Sequence, residues 1–185
     1  MSDTQFATDG PGAAAALAAT VAQLADILAD MSDEQYLRKP VGVFQSSVGG
    51  HVRHCLDHVS ALLSGVSTGV IDYERRERGG KIETDRAAAL SLARSLVENV
   101  EQIAEHADPR RSVVAITMFD PSREPMRAQS SVGRELTFVL SHTVHHNAII
   151  AGMLVTLGVP LPTGFGYAPA TIAHLRKAEC APSRS

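Results

Sequence analysis

Tryptophan is absent, and aromatic residues make up only 4% of the 185 residues. Base-stacking platforms and sugar-binding clefts are built on aromatic faces, so both are disfavoured. Cysteine is nearly absent too. Cys55 and Cys180 are the whole complement, which excludes a disulfide framework, and without a CxxC there is no Cys-rich zinc site. Positive charge is in short supply. Lys plus Arg number 17 against 20 Asp plus Glu, a net charge of −3, whereas a nucleic-acid binder carries a basic face. Met1 to Gly12 holds Asp3 and Asp9 but no Lys or Arg, so it lacks the basic start of a signal peptide. The apolar run Ala13–Ala22 is short, and Gln23 and Asp26 break its continuation; a bilayer span needs about 20 apolar residues. The expectation is a cytoplasmic protein that binds neither nucleic acid nor membrane.

What remains is a chain of globular composition, 44% hydrophobic, of a length suited to one domain. Residues 1–12 read as a flexible lead. Leu17, Val21, Leu24 and Leu28 recur at helical spacing in a first helix from Ala13 to about Ala29. Ser32 is placed to cap a short turn. A second helix opens at Ser46 or Ser47 and runs to about Ser64, with Gly65 as its C-cap. A polar stretch, 67–83, contains the charge cluster Asp72 to Arg78. A third helix begins at Thr84–Asp85 and stops before Asp108-Pro109. Val113, Val114, Ile116 and Thr117 are β-branched and Met126 to Ser130 can pair back, giving a small β-hairpin. The fourth helix runs from Ser130 or Ser131 to about Leu157, about 40 Å, and its apolar positions almost ring it. A Pro/Gly-rich tail, 161–185, holds one short helix near Thr171–Lys177. The predicted fold is all-α, a four-helix bundle over 13–160 with a small hairpin between its third and fourth helices.

The feature in excess is histidine. Six of the eight fall in two windows: His51, His54 and His58 on the second helix, and His142, His145 and His146 on the fourth. His142 and His146 are four apart, so one turn separates them on one helix face. Two imidazoles at that spacing can share one ion, and a histidine from a facing helix completes a three-nitrogen site with an open position. Such a set suits zinc, nickel or ferrous iron. His51, His54 and His58 are each placed to be the third ligand. HExxH is absent because position 143 is Thr, so the zinc-protease arrangement is excluded. Metal-bound imidazoles need acceptors for their second nitrogens. Asp57 and Glu135 are the candidates, with exposed pairing to Arg53 and Arg134 as the alternative. His145 is expected to bond to another helix, and His106 and His174 to be exposed. Cys55 reads as a small core residue.

The windows Ser47-Val-Gly-Gly-His-Val-Arg-His54 and Ser141-His142-Thr-Val-His145-His146-Asn147 resemble the DinB/YfiT-like superfamily. The resemblance covers most of the chain. It implies a four-helix bundle with a three-His divalent metal site, and matches the ligands to His54, His142 and His146. His51 and His58 then become groups beside the ligands or on the substrate side. Where the family often carries Arg-Gly-Gln, this chain has Asn147-Ala148-Ile149. Characterised relatives include transferases and isomerases that use low-molecular-weight thiols, and others have no assigned reaction. The resemblance therefore implies a small-molecule substrate, a homodimer, and metal-dependent S-transfer with a thiol. Metal-dependent hydrolysis and a non-catalytic, stress-associated bundle are the alternatives. For a thiol's anionic groups the loop offers Tyr73, Arg75, Arg76 and Arg78, with a solvated charge run as the other reading. Phe165, Tyr167 and Pro169 of the tail are expected to help shape the pocket.

Overall fold

The computed structural model describes residues 10–42, 45–75 and 79–179. Its elements are α1 (Gly10–Asp30), α2 (Asp33–Leu37), α3 (Val48–Thr68), β1 (Val70–Asp72), α4 (Lys81–Thr84), α5 (Arg86–His106), β2 (Ser112–Thr117), β3 (Met126–Ser131), α6 (Val132–Thr156) and α7 (Pro169–Glu179). The fold is mostly helical with a small three-stranded sheet. Seven helices are described. Four are long, and these pack in a ring: α1 on α5, α5 on α3, α3 on α6, and α6 on α1.

Local chemistry sets the helix starts. Ser47, Asp85 and Ser131 each accept a backbone N–H of the first turn, from Gly50, Ala88 and Arg134, and so satisfy donors that a helix leaves orphaned. Ser32 and Gln35 form a reciprocal capping box on α2. The stripe Leu17, Val21, Leu24 and Leu28 is fully buried. It meets the buried faces of α3 (Val52, Leu56, Val59, Leu62), α5 (Ala89, Ala93, Leu96, Val100) and α6 (Leu136, Val139, Ile150, Met153).

Several expectations need correction. The lead expected over 1–12 lies outside the described residues up to residue 9, and Gly10 already opens α1. The Ala run continues into a helix that, over residues 12–30, is long and apolar enough to cross a membrane by length and composition; so is α6. Part of each lies in the shared core, Leu17, Leu24 and Leu28 of α1 and Ile150, Met153 and Leu154 of α6 being buried, and α6 carries a buried Glu135 and His146 besides. Gly65 does not end α3. The helix runs on to Thr68, and Gly69, in the left-handed region at φ 81°, is the cap. Gly65 serves close approach: a Cβ there would lie 2.6 Å from Ile71 Cα and 2.8 Å from Ile71 Cβ.

That contact explains the element missing from the expected hairpin. Strand β1 lies inside the stretch read as polar loop. It pairs parallel to β2, Ile71 opposite Ala115, while β2 and β3 form the expected antiparallel hairpin from Ser112↔Ser131 to Thr117↔Met126. The sheet order is β1-β2-β3. The fold is therefore not purely α. The short tail helix is present as α7.

Gly65→Ala should destabilise the protein by about 1–3 kcal/mol, the usual cost of overpacking a tight contact. Urea unfolding followed by circular dichroism measures it. An unchanged midpoint would mean that β1 is not pressed against α3.

Candidate metal centre

The core residues of α3, among them Val52, Cys55, Leu56 and Val59, leave His51, His54 and His58 where α3 faces α6. On α6, His142 and His146 stand one turn apart. One nitrogen from each of His54, His142 and His146 lies within 4.8 Å of the others. The ring centroids are 5.0 Å apart for His54–His142, 4.6 Å for His54–His146 and 4.5 Å for His142–His146. Imidazole nitrogens bind a divalent ion at ~2.0–2.1 Å, which puts two of them roughly 3.3 Å apart around a tetrahedral centre. Small side-chain rotations close that gap. The donor set therefore fits a divalent metal.

The other histidines surround these three. His51 Nδ1 is 3.5 Å from His146 Nδ1. His58 is buried, and its Nδ1 pairs with the backbone carbonyl of His54 at 2.9 Å, so Nδ1–H is the donor. Its ring stacks on His142 at 4.0 Å and meets His54 edge-on at 4.5 Å. His145, expected to bond across to another helix, is instead exposed, with its ring edge-on to His146 at 5.3 Å. His106 and His174 are exposed, as expected.

Burial, followed by the neighbouring imidazoles His142, His51, His145 and His58, pushes His146 down to about 3. Burial and then His145 lower His51 as well. Both are neutral near pH 7 and keep lone pairs for an electrophile. Cys55 is fully buried and its thiol is pushed up to about 12, chiefly by burial. It is a core thiol, not a nucleophile.

Behind the imidazoles lies a buried carboxylate. Glu135 has 0% exposure. It accepts from Tyr73 Oη at 2.7 Å, Ser130 Oγ at 2.6 Å and Arg134 Nη1 at 2.7 Å. The exposed Glu135–Arg134 pair considered from sequence is therefore wrong on the carboxylate side. Tyr73 is corrected as well. It is buried, not a loop group open to an anion, and burial followed by the bond to Glu135 raises its pKa, so it stays a donor. Its ring stacks on His58 at 5.3 Å. Asp57 accepts from Arg53 at 2.8 Å, and Arg53 also bonds Glu83 at 2.9 Å; this pair is half-buried rather than exposed.

Arg76 and Arg78 lie outside the described residues. Arg75 lines a groove with Asp57, Ser60, Ser64 and Asp72, whose two carboxylates oppose an anion. Phe165 is buried. Tyr167 and Pro169 line a cavity with α1 and α6 whose described lining includes no histidine. Sequence reasoning missed Phe138, whose ring packs against His58, Tyr73 and His142. The signal was available, since Phe138 lies one turn before His142 on the same face.

Tyr73→Phe removes a hydrogen bond to a buried charge and should cost about 1.5–3 kcal/mol; denaturant midpoints check it, and a neutral result would detach Tyr73 from Glu135. In metal-free protein, His146 titrates near 3 when folded against 6.5 when unfolded. Below about 6.5 the unfolded chain takes a proton that the folded chain refuses, so stability should fall as pH drops from 6.5 towards 3. His51 acts in the same direction. Melting temperature against pH should therefore slope downward towards acid more steeply than in His146→Gln.

Among known proteins, no solved structure matches the chain. A curated relative, FK506-binding protein 5 of Rhizopus delemar, is 32% identical over 108 residues, which is 58% of this chain and 28% of that protein. The chain thus spans little more than a quarter of that relative's length. The family model described as the DinB superfamily matches residues 16–150, which include both histidine windows. The chain belongs to the DinB superfamily.

Proposed function

We propose that this protein binds one divalent metal ion through His54, His142 and His146, and that the four long helices act as a four-helix bundle built to hold it. The observation that carries the reading is the convergence of three imidazole nitrogens within 4.8 Å, from two facing helices. A three-nitrogen set leaves coordination positions open. Bound there, a divalent metal lowers the pKa of a water or thiol without contributing a competing negative charge.

The reaction we propose is S-transfer with a low-molecular-weight thiol. The resemblance to thiol-dependent relatives supports it, and so does the site's make-up. Cys55, the cysteine among the described residues, is buried and protonated, and in this reading the sulfur nucleophile comes from a substrate. His58, Tyr73 and Phe138 provide ring surface behind His142. Their part is to hold that ligand and exclude water from its far side. Arg75 is not central to this reading, because it stands among carboxylates.

One observation favours hydrolysis as a second reading. His51 is half-buried, has a lowered pKa and lies 3.5 Å from His146, a neutral imidazole placed to take a proton at the open side.

Protein purified without added metal should contain about one equivalent by elemental analysis, the stoichiometry of one three-ligand site. His146→Ala should lose it while keeping a helical circular-dichroism spectrum. Full occupancy in His146→Ala, with loss in His51→Ala, would overturn the ligand choice. Thiols added to cobalt-substituted protein should give a sulfur-to-cobalt charge-transfer band. Its absence for every physiological thiol, with His51→Ala lowering ester hydrolysis, would replace S-transfer by hydrolysis.

A further inference from the structure

The outer edge of β3 is open. In antiparallel strands, facing residues alternate between pairs that exchange backbone hydrogen bonds and pairs that do not. The Val132 N–H donates to the Arg111 carbonyl, so the bonded pairs that follow in this register are Val113↔Ser130, Ala115↔Ala128 and Thr117↔Met126. The other side of β2 agrees. The Val114 N–H donates to Gly69 and the Ile116 carbonyl accepts from Tyr73, both towards β1. The backbone groups of Arg127 and Gln129 therefore point away from the sheet. Neither residue makes a backbone hydrogen bond to another described segment, and both are exposed.

Folded proteins guard such edges with lysines, prolines, bulges or a covering segment. Among the described residues β3 has none of these. It reads Met-Arg-Ala-Gln-Ser-Ser, with Arg127 its single charge. It pairs residue for residue with β2 and is the last strand of the sheet. At the hairpin end the open edge runs into exposed apolar side chains, Met126 at 50% and Phe119 at 73%. Apolar surface continuous with an unpaired edge marks an association surface.

We propose that β3 is a dimer interface, in which two copies of this chain join their β3 strands antiparallel about a two-fold axis at Ala128 and make one continuous sheet. The strand's own chemistry selects the occupant and the register. An extended strand is the partner that takes both the N–H and the C=O groups of an edge. An axis at Ala128 sets Arg127 against the partner's Gln129, and the reverse, so both residues use both backbone groups in each protomer. The two Ala128 residues then face each other in a pair without hydrogen bonds, where Cα atoms approach to about 4.5 Å and a small side chain fits.

Other registers do less. An axis at Arg127 opposes like charges. An axis at Gln129 leaves the Arg127 N–H facing the Ser131 carbonyl, which as a cap residue already accepts within α6. An axis further along runs the partner strand into α6, which begins at Val132. A second copy in the Ala128 register thus meets the requirements of the edge without any outside partner.

Sedimentation equilibrium of the full chain, followed up to its solubility limit, should show a dimer. Gln129→Pro removes an outward N–H and leaves the pairing with β2 intact, a change that an edge strand tolerates. Its dissociation constant should rise about tenfold or more, since symmetry removes the bond twice, while the circular-dichroism spectrum stays as in wild type. In a Cys180→Ser background, Cys55 being buried, Ala128→Cys should form an interchain disulfide on mild oxidation, because that pair lies within disulfide reach. Gln129→Cys, whose copies are staggered in this register, should not. A monomer at every concentration would overturn the proposal. So would a dimer of unchanged strength in Gln129→Pro, or a disulfide that forms as readily in Gln129→Cys as in Ala128→Cys.

Discussion

A carboxylate without exposed surface ties the sheet to the helix that carries two of the three histidines. Glu135 accepts from Tyr73, just beyond β1, from Ser130 in β3 and from Arg134 beside it. A buried negative charge is tolerable only when several donors face it, so the three must stay where they are. This fixes more than local packing. Tyr73 is held against His58, and His58 against His142. A continuous stack of side chains thus runs from the buried charge to a candidate ligand, through the residue that follows β1.

This dependence separates the parts of the protein that are legible in the chain from those that are not. Ser47, Asp85 and Ser131 are legible as helix starts because a cap is satisfied within three residues. His142 and His146 are legible because helical spacing alone puts them on one face. Strand β1 is not. Val70, Ile71 and Asp72 carry little pattern of their own, and their partners Val114, Ala115 and Ile116 lie 44 residues further on. The role of its neighbour is hidden with it. Tyr73 has the sequence context of a charged loop, yet it is the first residue after the strand, and its position there delivers it to Glu135. Gly65 misleads for the same reason. Its sequence context suits a helix stop, but its role is set by Ile71 crossing over it. Tyr73 misleads because the composition of a charge run says nothing of which way one side chain in it turns.

The structure also shows how histidine-rich helices manage polarity. Imidazoles crowded between two helices would repel one another if protonated, and burial strengthens that repulsion. Burial and the neighbouring rings lower the pKa of His146, and burial with His145 lowers that of His51, so these two stay neutral near pH 7. Neutral imidazoles still have to place their N–H groups. His58 does so on the carbonyl one turn back in its own helix, a bond that uses no side chain from elsewhere. The rings of Tyr73 and Phe138 pack beside the cluster.

The same helix presents a different chemistry on its other side. Successive residues on a helix are rotated by about 100°, so Asn147 lies about 140° and Val144 about 200° around the axis from His142, while His146 lies only about 40° away. Asn147 and the two candidate ligands thus lie on different faces of α6. Yet both faces belong to one rigid element. Thr143, between them, is buried and bonded to the Val139 carbonyl, and Asn147 is bonded to α1 through Thr20. Any adjustment of α6 against α1 is therefore an adjustment of the helix that places His142 and His146 against His54. The contact of α6 with α1 and the placing of two candidate ligands are thus carried by the same helix.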